Sequence, residues 1–431
     1  MTALNSQSSR RFLFLQGPHG PFFKQLAAQL RTAGASVWRV GFNAGDKAFW
    51  PDTKTYIPFE GKADTWPAAL DTIFDTHNIT DLVLYGDTRA IHAEAILAAR
   101  ARGLKVHIFE EGYLRPYWVT YERDGSNGHS QLMSLSIDDM RQLHQARRFD
   151  APVPPCHWGD LREHVFYGAL YHLFVMARNR DYPNFKPHRS LKVAQEFRLY
   201  LKRLLLIPIH ALERFISTQR IRRGSFPYHL TLLQLEHDAS FQMHGPFETQ
   251  SAFLDCVMEG FANGAPSHHH LVFKAHPLED GRAPVPADIK RLARSYGIAD
   301  RVHFVRGGKL ARLLDGARSA TTVNSTAAQQ ALWRGMPLRA FGVAVYSKPE
   351  LVSDQPLAEF YADPNPPDRA AYRDFRDFLL ATSQLPGSFY ASKGRRQVLR
   401  QVSDMMLVGA GPYALDTPKS EALRQQFRVV E

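Results

Sequence analysis

DLVLYGDTRAIHAEAILAARARGLKVHIFEEG, residues 81–112, carries the reading of the fold. DLVLYGD is a short apolar run that ends in Gly86–Asp87, the pattern of a buried strand with a turn behind it. TRAIHAEAILAARARG has helical spacing and stops at Gly103. LKVHIFEEG is a second buried run and ends in Glu110, Glu111 and Gly112. Two short strands joined by a helix form a parallel crossover unit. Working outward, RFLFLQG is an earlier strand that opens into the loop Gly17–Pro18–His19–Gly20–Pro21. The next segment spaces Phe22, Leu26 and Leu30 on a helix with Gly34 as its stop signal, and SVWRVGF and Trp66–His77 add a strand and a helix. Residues 11–130 therefore read as a Rossmann-like domain. Ligands in such sheets bind beyond the C-terminal strand ends, where Gly17, Gly86–Asp87 and Glu110–Gly112 all fall.

The same rhythm returns later. Residues 131–225 read as mainly helical and basic. From 226 to 349, HLTLLQLE, HHLVFKAHP, HFVRGG, SATTVNS and PLRAFG read as strands, separated by helical runs such as TQSAFLDCVMEGFANG and TAAQQALWRG. Residues 350–431 hold helices at Asp368–Thr382 and Ser392–Leu407, then a polar tail. The expectation is an α/β, GT-B-like chain: two Rossmann-type domains facing a central cleft, with additional helices. Fold alone does not choose the chemistry.

Bulk composition narrows the partners. The chain has 431 residues and a formal charge of +11, which favours anionic partners. Lys186–Arg223 concentrates ten Lys and Arg against Glu196 and Glu213. Cys156 and Cys256 form neither a metal spacing nor a disulfide framework, as expected in a reducing compartment. The N-terminus lacks the apolar core of a signal peptide, and no run approaches the ~20 apolar residues of a membrane span. These features point to a cytoplasmic protein. His268–His269–His270 has no spaced ligand set around it and reads as a solvated loop, so no metal site is expected. The chain has no GxxxxGK[ST] loop, GxGxxG fingerprint or nucleic-acid recognition motif.

Four segments offer chemistry. Glu110 and Glu111, at a strand end before Gly112, suit general acid/base work; helix capping or an ion pair with Arg115 is the plainer use. Asp238 sits among Gln234, Ser240, Gln242 and His244 just after an apolar run. It is a nucleophile, a binder of substrate hydroxyls, or the cap of a turn. Lys274 and His276, two apart, share a strand face and suit a phosphate; a satisfied strand-end histidine is the alternative. Asn324, Ser325 and Thr326 open a helix, which makes them an anion site or ordinary capping residues.

Taken together and in order, these stations resemble bacterial capsule polysaccharide biosynthesis proteins of the KpsS/LipB type. The resemblance covers roughly residues 11–400. Its stations are Gly17–Pro21, YGDTRAIH at 85–92, FEEGYLRPYWVT at 109–120, NG at 127–128, YPNFKPHR at 182–189, LLQLEHDASFQ at 232–242, KAHP at 274–277 and VNSTAAQQAL at 323–332. The related KpsC type shares the acidic–Gly, His–Pro and Asn–Ser stations. The resemblance implies a retaining β-Kdo transferase that takes Kdo from CMP-β-Kdo to a phosphatidylglycerol-type lipid by double displacement, with no metal or other cofactor. It implies Asp238 as nucleophile and Glu110 as acid/base, with Glu111 beside it. Lys274, His276, Asn324, Ser325, Thr326 and Gln234 fall on the donor side, and Gly17, His19, Asp87, Arg89 and Arg115 on the acceptor or cleft side. KpsC-type chains tend to read Glu–Asp where this one has Glu110–Glu111, so the division of labour between the two stays open.

The implied partners are CMP-Kdo, the lipid acceptor, the inner face of the cytoplasmic membrane and other capsule biosynthesis and export proteins. Nucleic acid is not among them. The rival readings are a KpsC-like extender of an existing Kdo linker and a non-catalytic component of capsule export. The stretch FRLYLKRLLLIPIHALERFI, at 197–216, reads as a basic amphipathic surface for the anionic leaflet, or as two buried-face helices with a solvated basic side. Pro208 should break or kink it.

Overall fold

The computed structural model describes residues 10–145, 161–185, 193–277, 279 and 281–414. They divide into two compact units. Residues 10–134, 139–145, 161–185 and 377–414 form the first, and 135–138 and 193–376 the second.

The first unit is built on a seven-stranded sheet in the order β12-β6-β5-β4-β1-β2-β3. Its strands are β1 (Arg11–Phe14), β2 (Ser36–Gly41), β3 (Tyr56–Pro58), β4 (Asp81–Tyr85), β5 (Lys105–Glu111), β6 (Trp118–Arg123) and β12 (Gln384–Pro386). The helices are α1 (Phe22–Thr32), α2 (Ala44–Ala48), α3 (Trp66–His77), α4 (Ala90–Ala101), α5 (Ile137–Gln145, beginning in the second unit) and α6 (Leu161–Arg178). Strands β1 to β5 pair in parallel, and β6 turns back antiparallel on β5. Alternate strand residues feed two cores. Phe12, Phe14, Val83 and Phe109 meet Phe22, Phe23 and Leu26 of α1 on one face. Leu13, Leu84, Val106 and Ile108 meet Trp66, Leu70 and Phe74 of α3 on the other. Asn78 ends α3 in the left-handed region at φ 46°.

The second unit carries an all-parallel sheet in the order β11-β10-β7-β8-β9. Its strands are β7 (Tyr228–Leu232), β8 (His270–Lys274), β9 (Val302–Val305), β10 (Ala317–Thr322) and β11 (Leu338–Ala340). Helices α7 (Val193–Arg223), α8 (Ala239–His244), α9 (Gln250–Gly264), α10 (Val285–Ser295), α11 (Ala311–Leu314), α12 (Gln329–Trp333) and α13 (Leu357–Ala362) belong here. α14 (Arg369–Ala381) leads the chain back to the first unit, which α15 (Ser392–Leu407) completes.

Both sheets have the same winding. In the first, the chain runs outward from β1 to β3, then crosses to β4 on the other side of β1. In the second it runs from β7 to β9, then crosses to β10 on the other side of β7. Each unit is thus a Rossmann-type α/β body with one switch point, between β1 and β4 or between β7 and β10. Two such bodies in series match the GT-B-like expectation for the sheets.

Several elements depart from the sequence reading. β6 was not legible because Thr120, Glu122 and Arg123 lie on it as buried polar residues, which removes the apolar signature. β12 pairs antiparallel with β6, so the last helical region supplies an edge strand to the first unit. Pro208 lies inside α7 without ending it. The His268–His270 run is not a solvated loop throughout. His269 is buried against His229, 3.1 Å between ring nitrogens, and His270 starts β8 and lies 2.8 Å from His303. Burial holds all four of these rings below the ordinary imidazole range, hence neutral near pH 7. Cys156 and the segment 186–192 lie outside the described residues; Cys256 is a half-buried free thiol.

Candidate active site

The carboxylate edge of the first sheet assembles around β4 and β5. Gly86 follows β4 with φ 69° and donates its N–H to Phe109 O at 2.9 Å. A Cβ there would meet Glu110 Oε2 at 3.2 Å, so glycine serves both the turn and the close approach of the carboxylate. Gly112 is held as tightly: a Cβ would run into the Trp118 carbonyl, to which its own N–H donates at 3.1 Å. This contact closes the β5–β6 hairpin directly behind the two glutamates.

Neighbours on a strand face opposite ways, and the two glutamates differ accordingly. Glu110 is half-buried, and burial, aided by the charges of Glu111 and Asp87, pushes its carboxyl up to about 7. The Glu111 N–H, which donates to Glu110 Oε1 at 3.0 Å, and the Arg115 guanidinium pull the other way. Glu111 lies on the α1 side, where Tyr85 OH donates to its Oε1 at 3.3 Å and Tyr390 also reaches it. Arg115 is exposed and donates to Gly112 O at 3.2 Å; it acts on Glu110 through its charge, and no ion pair forms between them.

The remaining expected residues of this edge fall at the switch point. Gly17 packs against the Phe23 ring and His19 stacks on Tyr171 at 4.4 Å. Arg89 precedes α4 and donates to Gln16 Oε1 at 3.1 Å. Asp87 is buried, takes the Ser126 N–H at 2.9 Å and lies 3.2 Å from His129 Nδ1. Sequence reading missed three neighbours. Asp46 is buried in an ion pair with Arg39 at 3.0 Å and accepts from Gln16 at 3.0 Å. Glu122 is fully buried, held up to about 7 by desolvation, with the hydroxyls of Ser130, Tyr113 and Tyr413 acting on it. His129 has only its placement after the NG pair as a signal.

The second sheet's switch point is clamped by amides. Gln234, beyond β7, donates through Nε2 to Asn324 Oδ1 at 2.7 Å, and Asn324 N–H donates back to Gln234 Oε1 at 2.9 Å. Asn324 Nδ2 donates onward to Ser240 O at 2.7 Å. Both amides are buried. Their hydrogen-bonding capacity goes largely into holding the ends of β7 and β10 and the start of α8. Ser325 caps the short 3-10 turn Thr326–Ala328, its hydroxyl accepting Ala327 N–H at 3.3 Å. Thr326 and Ser325 themselves are half-buried.

Asp238 is exposed at the start of α8 and takes the Ser240 N–H at 3.4 Å. Its neighbour Glu236 is spent on the N–H of Gln250, 2.7 Å away at the start of α9. Of the two acids in LEHD, Asp238 is therefore the one whose carboxylate faces solvent. Lys274 ends β8, is buried, and burial draws its ammonium down to about 8. His276 lies two residues past the strand end, half-buried, its carbonyl accepting Glu279 N–H at 3.0 Å. The shared strand face expected for Lys274 and His276 does not apply, because β8 stops at Lys274. Among the described residues no cluster of three or more His, Cys, Asp or Glu is placed to hold a metal ion.

Two Rossmann-type units, one with paired glutamates and the other with a buried lysine and an amide clamp at their strand ends, make up the chain. The capsule polysaccharide biosynthesis protein family matches residues 80–390, and the chain belongs to that family. It is 30% identical to the capsule polysaccharide modification protein LipB of Neisseria meningitidis serogroup B, over 89% of this chain and 93% of that one. It is 29% identical to the capsule polysaccharide export protein KpsS of Escherichia coli, over 89% of this chain and 97% of that one. Among solved structures it is similar to the beta Kdo 2,7 transferase KpsC of Thermosulfurimonas dismutans, with 12% identity and a TM-score of 0.45 over 92% of this chain and all of that one.

Proposed function

We propose that this protein is a retaining glycosyltransferase that moves Kdo from CMP-β-Kdo to a phosphatidylglycerol-type lipid and so starts the linker of a capsular polysaccharide. The observation that carries the reading is the solvent-facing carboxylate of Asp238 beside the Gln234–Asn324 clamp, in a chain of the capsule family. Membership of that family and the order of the stations support the substrate class.

In the proposed reaction Asp238 attacks the anomeric carbon of Kdo as the bond from that carbon to the CMP phosphate oxygen breaks, and CMP leaves with the electron pair. The acceptor hydroxyl then attacks the same carbon, Glu110 takes its proton, and the aspartyl–sugar bond breaks to restore the Asp238 carboxylate. Two inversions give net retention. Lys274, His276, Ser325 and Thr326 hold the CMP phosphate and ribose, and Gln234 and Asn324 keep those groups in place. Gly17, His19, Asp87, Arg89 and Arg115 shape the acceptor side around Glu110. CMP is a competent leaving group, so the reaction calls for no metal or other cofactor.

The acceptor places the protein at the inner face of the cytoplasmic membrane, alongside other capsule proteins. Among the described residues no helix is long and apolar enough to cross a membrane. The basic helix α7 supplies a peripheral contact.

Mass spectrometry of the product from CMP-Kdo and a fluorescent phosphatidylglycerol tests the proposal. One added Kdo is expected, and Asp238→Ala should cut transfer by several orders of magnitude while the fold is kept. A variant above about a tenth of the wild-type rate, a barrier change below ~1.4 kcal/mol, removes Asp238 as nucleophile. Transfer only to a lipid already bearing Kdo would make the protein an extender. No CMP release at all would make it a non-catalytic export component.

A further inference from the structure

Helix α6 is apolar on both of its faces, which is unusual for a surface helix. Its solvent-facing stripe is Val165, Phe166, Ala169, Leu173, Met176 and Ala177, at the i, i+3, i+4, i+7 spacing of one helical face. The large members are far from buried: Val165 is 62% exposed, Phe166 60%, Leu173 54% and Met176 56%. Its inward face holds Leu170, Phe174 and Val175 together with polar aromatics. Tyr171 stacks on His19 and accepts the Asn43 amide at 2.8 Å, and Tyr167 lies against Gly20. His164 stacks on Tyr390 at 3.9 Å, and Tyr390 reaches Glu111. The inward face thus touches the loops after β1 and β2 and the glutamate edge, all within the first unit, while the outward face shows water an apolar strip bordered by the exposed His172. From Val165 to Met176 the strip is about 17 Å long at the helical rise.

The charges around the strip are one-sided. Arg178 and Arg180 are exposed at its C-terminal end. The nearby acids are engaged elsewhere: Glu163 takes the Ser392 N–H at 2.8 Å, and Asp181 pairs with Lys47 at 3.2 Å. Lys393 and Arg396, exposed on the first turns of α15, stand beside Glu163 through that same Ser392 contact. An apolar strip with cations near its ends and, among the described residues, no unengaged carboxylate suits the headgroup–acyl boundary of an anionic bilayer. A protein partner of ordinary stability would need about 800 Å² on each side and a mixed polar rim, more than this single strip offers.

We infer that the outer face of α6 is a membrane-docking surface: Val165, Phe166, Leu173 and Met176 enter an anionic leaflet, with the strip's terminal arginines on the headgroups, so that the sheet edge beneath α6 is held at the bilayer. The membrane contact stands on the geometry of α6 alone; its use in delivering a lipid acceptor rests on the proposed function.

The test is sedimentation of the full-length protein with vesicles of equal phosphatidylglycerol and phosphatidylcholine, comparing wild type with the double variant Phe166→Asp, Leu173→Asp. Both sites face solvent, so the variant should keep the wild-type circular dichroism and melting. The expected result is at least tenfold weaker vesicle binding, with Kdo transfer to a soluble short-chain acceptor unchanged and transfer to vesicle-borne acceptor lost. Should the double variant unfold, the single variant Met176→Ser, expected to weaken binding severalfold, decides the matter. Equal vesicle binding in the folded variant overturns the inference. So does a wild-type dimer that the variant abolishes while vesicle binding stays the same, since the strip would then face a second copy. If the variant loses vesicle binding but the wild type transfers no Kdo to any acceptor, the docking surface stands and the transferase reading fails.

Discussion

At the scale of single residues, the pair Glu110–Glu111 shows how one peptide bond separates two chemistries. The alternation of β5 sends one carboxylate to each sheet face. Glu110 is desolvated with no ion pair to its side chain, while Glu111 sits among tyrosine hydroxyls. A base that takes a hydroxyl proton near neutral pH works best with a pKa close to that pH, which the environment of Glu110 provides. Below about 7 Glu110 is protonated and cannot accept, so the transfer rate should rise with pH and level off above that value. Glu110→Gln should be slower by at least a hundredfold and lose this rising limb. Stopped assays across pH 5.5–8.5 at saturating donor, a range of roughly 1.5 units on either side of that pKa, check it. A Glu110→Gln enzyme near the wild-type rate, with Glu111→Gln inactive, would move the role to the neighbour. Nothing in the bare order Glu–Glu distinguishes the two residues. What separates them is which face β5 turns to α1, and the tyrosines that Glu111 meets there, Tyr85 and Tyr390, lie far from it in sequence.

At the scale of elements, the strands and helices around the switch points were legible and the clamps across them were not. HIFEEG, LLQLEH and VNSTAA announce strand ends because apolar runs stop there in polar residues. The crossings from β3 to β4 and from β9 to β10, which put β1 beside β4 and β7 beside β10, leave no local trace. The Gln234–Asn324 pair joins positions 90 apart and becomes visible only once β7 and β10 are neighbours. β6 and β12 were missed for a different reason: strands with buried polar residues, or only three residues long, have no periodicity to read.

The clamp makes a prediction that separates positioning from contact. Asn324→Ala strands the buried Gln234 amide and the Ser240 carbonyl, at a cost of about 1–3 kcal/mol. The melting temperature should fall, and CMP affinity should fall with it. Ser325→Ala removes a hydroxyl that caps only a short turn. It should leave melting within about a degree while weakening CMP roughly tenfold, the scale of one charge-assisted hydrogen bond. Differential scanning and titration calorimetry on the two variants give both readouts. CMP affinity unchanged in both would put the donor site elsewhere on the chain.

At the scale of the whole molecule, the formal charge of +11 includes a dense exposed group at the end of α7. The final turn of α7 exposes Arg220, Arg222 and Arg223, and the middle of that helix exposes Ile209, Leu212, Phe215 and Ile216. The side chains of Arg198, Lys202 and Arg203 lie outside the described residues. Arg214 is not part of the free set, because it packs against Gly308, and the adjacent Glu213 pairs with Arg306 at 3.2 Å. Both α6 and α7 therefore carry apolar exposure, but only α7 adds a dense cationic end. The two should contribute to membrane binding in different ways. Insertion of the α6 strip is mainly apolar, with only the arginines at its end open to screening, and should respond weakly to salt. Attraction of the α7 arginines to anionic headgroups is screened over about 10 Å at 0.1 M salt and should weaken as salt rises. Each cation at an anionic leaflet contributes roughly 1 kcal/mol, so reversing Arg220, Arg222 and Arg223 to Glu should weaken binding to phosphatidylglycerol vesicles by more than about a hundredfold at low salt. The charge-reversed protein should also lose most of the salt dependence of binding, and transfer to a soluble acceptor should persist. A Phe166→Ser, Leu173→Ser variant, which adds no charge, should instead bind weakly with the wild-type salt slope largely intact. Vesicle titrations from low to high salt on the three proteins separate the two contributions. A charge-reversed protein that sediments like the wild type at every salt concentration would remove α7 from the membrane contact.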